Sequence, residues 1–163
     1  MPVMRPALST ETYVQLLEQL QSVVGPLEAC LLTLPVPTAF EFEARRKAPL
    51  LSRDLALLTK SRPRAGARPL SPGLPEALGA LYVLEGATLG GQVIVRALRR
   101  NLGITPESGG AYFHAYGPET GRMWQAFGEA MRREVAPEDE ERVIAGARDT
   151  FLAFANALRS VPA

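Results

Sequence analysis

Four glycines lie inside an apolar stretch at residues 78–94, namely Gly79, Gly86, Gly90 and Gly91. Apolar residues recur there at helical spacing, so the stretch predicts a helix, although each interior glycine costs about 1 kcal/mol relative to alanine. Gly79, Gly86 and Gly90 are spaced by seven and four, which predicts one helix face without side chains. A flat ligand could lie against this strip. Another helix could equally pack there, because glycine in a helix often marks close packing.

Three other side chains are candidates for binding. Tyr82 precedes Gly86 by four residues, so we expect it on the same face, where its hydroxyl could bond a ligand carboxylate or a water; a buried tyrosine bonded elsewhere is equally consistent. Arg96 is the best placed of three arginines to hold a carboxylate, although cations also stabilise the carboxyl end of a helix. His114 is the only histidine, and we expect a loop residue there rather than an axial metal ligand.

Helical spacing continues along the rest of the chain. It predicts a helix after Ser9, a helical region over residues 40–59 interrupted at Pro49, and helices from about Pro118 and Pro137. No segment alternates like a strand, so the predicted fold is all-α.

Two surfaces of these helices follow from the pattern. The cations Arg45, Arg46 and Lys47 indicate a solvated face. The last helix is expected to bury one apolar face, made of Val143, Ile144, Ala147, Phe151, Phe154 and Leu158.

Composition points to one domain over residues 1–163, with a mobile loop at residues 60–74 where proline, glycine and arginine repeat. The net charge of +1 gives no field that would recruit nucleic acid. A single cysteine, Cys30, excludes an internal disulfide framework. We expect no membrane span, no signal peptide and a cytoplasmic location.

Residues 82–92, Tyr-Val-Leu-Glu-Gly-Ala-Thr-Leu-Gly-Gly-Gln, resemble the distal helix of haem oxygenases, especially the bacterial, phytochrome-associated branch. The similarity continues through Tyr112-Phe113 and residues 116–127, and returns around Thr150-Phe151. It implies a single-domain helical bundle whose distal helix kinks over haem. In that family the glycines that correspond to Gly86 and Gly90 give bound dioxygen room.

The resemblance implies that haem is both substrate and cofactor, cleaved oxidatively to biliverdin, carbon monoxide and ferrous iron. Electrons would come from an external donor such as a ferredoxin or a reductase. Tyr82 and Arg96 would contact the haem, whose carboxylates are its propionates. Mammalian members carry a carboxylate directly after the first of these glycines, where this chain has Ala87.

Members of this family ligate the haem iron through a histidine on a helix that precedes the segment matching residues 9–34. Residues 1–8 contain no histidine, so we expect this chain to lack that helix or to start late, and its iron ligand is unknown. Two other functions stay open: a haem or bilin carrier without turnover, and a helical scaffold that acts through protein contacts. A lost helix would leave an apolar face, which favours a homodimer.

Overall fold

The computed structural model describes residues 8–59 and 72–161. All regular structure in those residues is helical, which confirms the predicted all-α fold. Beside short 3-10 turns, the α-helices are α1 (Thr10–Leu31), α2 (Phe42–Arg45), α3 (Ala48–Leu58), α4 (Leu74–Ala87), α5 (Gly91–Leu102), α6 (Ala111–His114), α7 (Thr120–Glu134) and α8 (Glu140–Arg159). The sequence predicts a loop at residues 60–74. Residues 60–71 of it lie outside the described residues, and α4 already begins at Leu74.

Helix α1 begins where the sequence predicts. Ser9 is its N-cap, and the Ser9 hydroxyl oxygen accepts a hydrogen bond of 3.1 Å from the backbone N–H of Thr12. The helix continues through Pro26 to Leu31 and buries its predicted apolar face against α3 and α8.

Helices α4 and α5 form one long helix with a break in the middle. A 3-10 turn at Thr88–Gly90 joins them, which confirms the predicted kink, and the helix ends at Gly103 in the left-handed conformation with φ 66°. We call this unit, residues 74–102, the distal helix. Its first half contributes to both hydrophobic clusters: Ala80 and Leu84 pack with α1, while Leu78 and Leu81 pack around Phe127.

The distal helix is the one segment of the described chain that is long and apolar enough to cross a membrane. By length and composition alone Leu74–Leu102 qualifies, with a mean hydropathy of 1.4 in its most apolar window. However, 56% of that window is buried inside the protein, so its apolar side chains already have protein neighbours.

Two other expectations differ in detail from the structure. The predicted interruption of the helical region lies between α2 and α3, before Pro49. Pro49 itself is in the first turn of α3, where its missing N–H is tolerated. On α8, Val143 is buried, but Ile144 and Phe151 are 56% and 64% exposed, because Gly146 and Thr150 face the interior instead.

Candidate functional site

The four glycines of the distal helix divide into two pairs with different surroundings. Gly79 and Gly91 are packing glycines. A Cβ atom at Gly79 would overlap the backbone carbonyl oxygen of Val143 in α8, and one at Gly91 would overlap that of Phe113 in α6. Here close helix packing is the correct interpretation, so Gly79 does not belong to the open strip predicted from its spacing.

Gly86 and Gly90 are different, because no neighbouring backbone requires them. A Cβ atom at Gly86 would lie 3.6 Å from the Trp124 ring, an ordinary van der Waals distance, and one at Gly90 would meet nothing within 4 Å. Their backbone φ angles are not in the left-handed region either. Neither packing nor backbone conformation within the described residues explains why these positions are glycine.

The surface beside this pair is apolar. Leu89 and Val93 are 49% and 51% exposed, and Tyr82 is 44% exposed, so the alternative of a buried Tyr82 is wrong. The Tyr82 ring packs on Trp124 with the ring centroids 5.3 Å apart. We call this surface, made of Tyr82, Gly86, Leu89, Gly90 and Val93, the glycine face. It is a side-chain-poor strip with apolar edges, which suits a flat apolar ligand.

The other predicted residues lie at the surface or beside other groups. Arg96 is exposed, and its Nε donates to the Gln92 carbonyl oxygen at 3.3 Å within its own helix. His114 ends α6, and its half-buried imidazole lies against Gly117. No contact among the described residues brings the His114 ring to the glycine face. Residues 8–59 and 72–161 hold no cluster of three or more histidine, cysteine or carboxylate side chains suited to a metal.

A buried ionic cluster lies behind the glycine face, and sequence reasoning missed it. Glu85 directly precedes Gly86, and its side chain is only 1% exposed. One carboxylate oxygen, Oε2, accepts from Arg45 Nη1 at 2.6 Å. The other, Oε1, accepts from Lys47 Nζ at 2.6 Å and from the Tyr116 hydroxyl at 2.7 Å. We call Glu85, Arg45, Lys47 and Tyr116 the Glu85 clamp.

The clamp shows that two of the three consecutive cations are not on a solvated face. The side chains of Arg45 and Lys47 are 0% and 3% exposed, whereas Arg46 is 31% exposed. A lone carboxylate in an otherwise apolar stretch, Glu85, was the signal available in the sequence, because a buried charge requires an oppositely charged partner.

Burial sets the electrostatics of the clamp. It lowers the pKa of Lys47, because desolvation disfavours the ammonium form, and the charge of Glu85 opposes that shift. It raises the pKa of Tyr116, first by desolvation and then by the neighbouring Glu85 carboxylate. Tyr116 is therefore a neutral hydrogen-bond donor at physiological pH.

A second buried carboxylate, Glu28 on α1, supports the same corner of the chain. It accepts hydrogen bonds from the backbone N–H groups of Lys47 and Ala48, the latter at 3.0 Å. Desolvation raises the pKa of Glu28, and these N–H donors partly oppose the shift. Glu28 thus fixes the start of α3, while Glu85 holds the neighbouring side chains.

Comparison with known proteins gives three findings. The family model described as "Heme oxygenase" matches residues 70–160, more than half of the chain. Haem oxygenase from Neisseria meningitidis, solved with NO and CO bound, superposes with a TM-score of 0.80 at 24% identity, covering 97% of this chain and 80% of that one. Haem oxygenase from Leptospira interrogans superposes with a TM-score of 0.76 at 20% identity, covering 95% and 85%.

At these identities the two structures establish the fold, and no curated protein matches the chain. The family match includes the whole distal helix and both open glycines. The all-α fold, the kinked helix and the family match together show that this chain is a member of the haem oxygenase family.

Proposed function

We propose that this chain binds haem against the glycine face and cleaves it oxidatively to biliverdin, carbon monoxide and ferrous iron, with haem as both substrate and cofactor. One observation carries the proposal: positions 86 and 90 are glycine although a Cβ atom at either would clash with no atom of the described chain. The space beside them is therefore open to a ligand. Membership of a haem-degrading family supports it. An external reductase or ferredoxin would supply the electrons.

The residues present fit one side of a haem. Leu89 and Val93 offer exposed apolar contact, and Gly90 lets a flat ring approach the backbone. The Trp124 ring lies beside Gly86 and adds an aromatic edge. The backbone carbonyl oxygen of His114, the only histidine, accepts from Gln92 Nε2 at 3.3 Å, but no contact among the described residues joins the His114 ring to the glycine face.

Tyr82 and Arg96 are the proposed polar contacts. The Tyr82 hydroxyl has no hydrogen-bond partner among residues 8–59 and 72–161, and its ring lies at the edge of the glycine face. Arg96 extends from the same long helix with its guanidinium exposed. A guanidinium holds a carboxylate such as a propionate with two parallel hydrogen bonds.

The bound haem supplies the redox chemistry of its own cleavage. This chain would position the ring, leave space at Gly90 for a small ligand, and exclude larger groups through Leu89 and Trp124. Ala87 provides no carboxylate to hold a water, so any ordered water there would depend on backbone groups of the 3-10 turn.

We also propose that residues 1–163 form one domain, that the protein acts in the cytoplasm and that it forms a homodimer. The apolar residues Ile144, Phe151 and Leu152 on α8 are each more than half exposed, which supports a contact with a second copy. Sedimentation equilibrium of the wild type and of Phe151→Glu tests the dimer. We expect a dimer for the wild type and a monomer for the variant.

Titration with hemin tests the proposed function. We expect a saturable Soret band with one hemin per chain. Adding ascorbate under air should then produce a bilin absorption band as the Soret band decays. Saturable binding without bilin formation would identify a carrier. Absence of saturable binding would contradict the proposal and leave a protein-binding scaffold.

A further inference from the structure

The first half of the distal helix is buried on nearly every side. From Ala77 to Glu85 each residue except Tyr82 is buried. Hydrophobic burial has no preferred direction, so a helix that is apolar all round gains little preference for one rotation about its axis. A close contact at Gly79 restrains this helix near its start, and a second at Gly91 restrains it directly after the break. The break itself is the turn at Thr88–Gly90, where the hydrogen-bond pattern changes.

Glu85 provides a directional restraint directly before the break. Three donors reach its carboxylate from outside the helix, at 2.6 to 2.7 Å: Arg45 and Lys47 from the segment before α3, and Tyr116 from the segment after α6. Hydrogen bonds depend on direction, and a buried charge without its partners is strongly destabilising. Rotating the helix would break these bonds together.

The clamp is joined to the glycine face in two ways. Along the chain, Glu85 directly precedes Gly86, and the Thr88 hydroxyl donates to the Glu85 carbonyl oxygen at 2.6 Å. Through space, the Arg45 guanidinium lies 5.4 Å from the centroid of Phe127, whose ring stacks on Trp124 at 6.1 Å. Trp124 in turn lies beside Gly86, as described above.

We propose that Glu85 is a positioning residue: held by Arg45, Lys47 and Tyr116, it fixes the rotation of the distal helix at its break, so that Gly86 and Gly90 face the haem. This inference rests on the proposed function, because it concerns how the haem-binding surface is oriented. Glu85 itself is buried behind that surface and acts through the backbone.

Four variants separate positioning from simple stabilisation. Tyr116→Phe removes one hydroxyl from the clamp and leaves both cations paired. Glu85→Gln removes the carboxylate charge. The double variant Lys47→Met/Glu85→Gln removes one positive and one negative charge. The net charge of the clamp is therefore the same as in the wild type, but Arg45 alone carries it. Glu28→Gln is the control, because Glu28 is also 1% exposed and supports the same corner, but lies on α1.

Urea unfolding gives the stability of each variant, and quenching of Trp124, the only tryptophan, gives its hemin affinity. We expect Glu85→Gln to lose much stability, because it leaves two buried cations without a carboxylate, and the double variant to recover part of the loss, because only Arg45 then stays charged. The hemin affinity of both variants should be about tenfold or more below that of the wild type, because a tenfold change corresponds to roughly one hydrogen bond to a charged group. The hemin affinity of Tyr116→Phe should also fall. Glu28→Gln should lose stability but keep its affinity.

The proposal would be overturned if the affinity of the double variant returned to the wild-type value together with its stability. It would also be overturned if Glu28→Gln lost as much affinity as the clamp variants. If Glu85→Gln fails to fold, Tyr116→Phe and the double variant decide the outcome.

Failure of the proposed function would look different, because the wild type itself would then not bind hemin. In that case the fluorescence emission spectrum of Trp124 in the ligand-free variants would test whether the Glu85 clamp positions the glycine face. A changed emission maximum in the double variant but not in Glu28→Gln would support a restraint on the glycine face. Equal changes in both would overturn it.

Discussion

At the scale of single residues, replacing glycine by alanine should have opposite effects on stability in the two pairs of glycines. In Gly79→Ala the new methyl would overlap backbone of α8, so we expect a loss of at least about 1–3 kcal/mol in the free energy of unfolding. In Gly90→Ala it meets nothing, and we expect a gain of about 0.4–1 kcal/mol, because alanine restricts the unfolded chain. Urea unfolding measures both, and a Gly79→Ala variant as stable as the wild type would contradict the packing assignment.

The buried carboxylate of Glu28 gives a prediction about pH. Burial raises its pKa, so the folded state binds its proton more readily than the unfolded state. The stability it contributes is present below its ordinary pKa and is lost as pH rises through the raised value. We expect the wild type to gain stability relative to Glu28→Gln as pH falls from about 7 to about 4. Urea unfolding of both proteins across this range tests it, and a difference that shrinks on acidification would contradict it.

At the scale of elements, the short helix α6 depends on one carboxylate of α3. Asp54 is fully buried and accepts from the backbone N–H groups of Ala111 and Tyr112 at 3.0 and 2.8 Å. Asp54→Ala would leave both donors buried without a partner, so we expect a loss of about 2–4 kcal/mol in unfolding free energy. Asp149→Ala on the exposed face of α8 is the control and should change stability by less than about 0.5 kcal/mol. Equal stabilities of the two variants would contradict this role.

The sequence predicted elements well where one face carries a regular pattern. The cap at Ser9 and the apolar repeat of α1 are local signals, and so is the end of the distal helix at Gly103. The exposed face of α8 could not be predicted in the same way. Ile144 and Phe151 fit a buried stripe by spacing, but the close approach of Gly146 to the Glu76 backbone turns another side of α8 inward.

At the scale of the whole molecule, the site was predictable only in part. The open pair Gly86 and Gly90 follows from local spacing and from resemblance to a family. The Glu85 clamp does not, because its partners at positions 45, 47 and 116 are distant in sequence and become neighbours only in the fold. Three adjacent cations are usually solvated, and only the tertiary contact with Glu85 shows that two of them are buried.

We propose that Gly90 is kept without a side chain for a flat ligand, and Gly90→Leu tests this proposal most directly. Gly121→Leu is the matched control, since Gly121 is also exposed and helical and a Cβ atom there also meets nothing within 4 Å. Both variants should fold like the wild type. Hemin titration followed by Trp124 quenching should show an affinity at least about tenfold weaker for Gly90→Leu, equivalent to about 1.4 kcal/mol, and an unchanged affinity for Gly121→Leu. Wild-type affinity in Gly90→Leu would contradict the account.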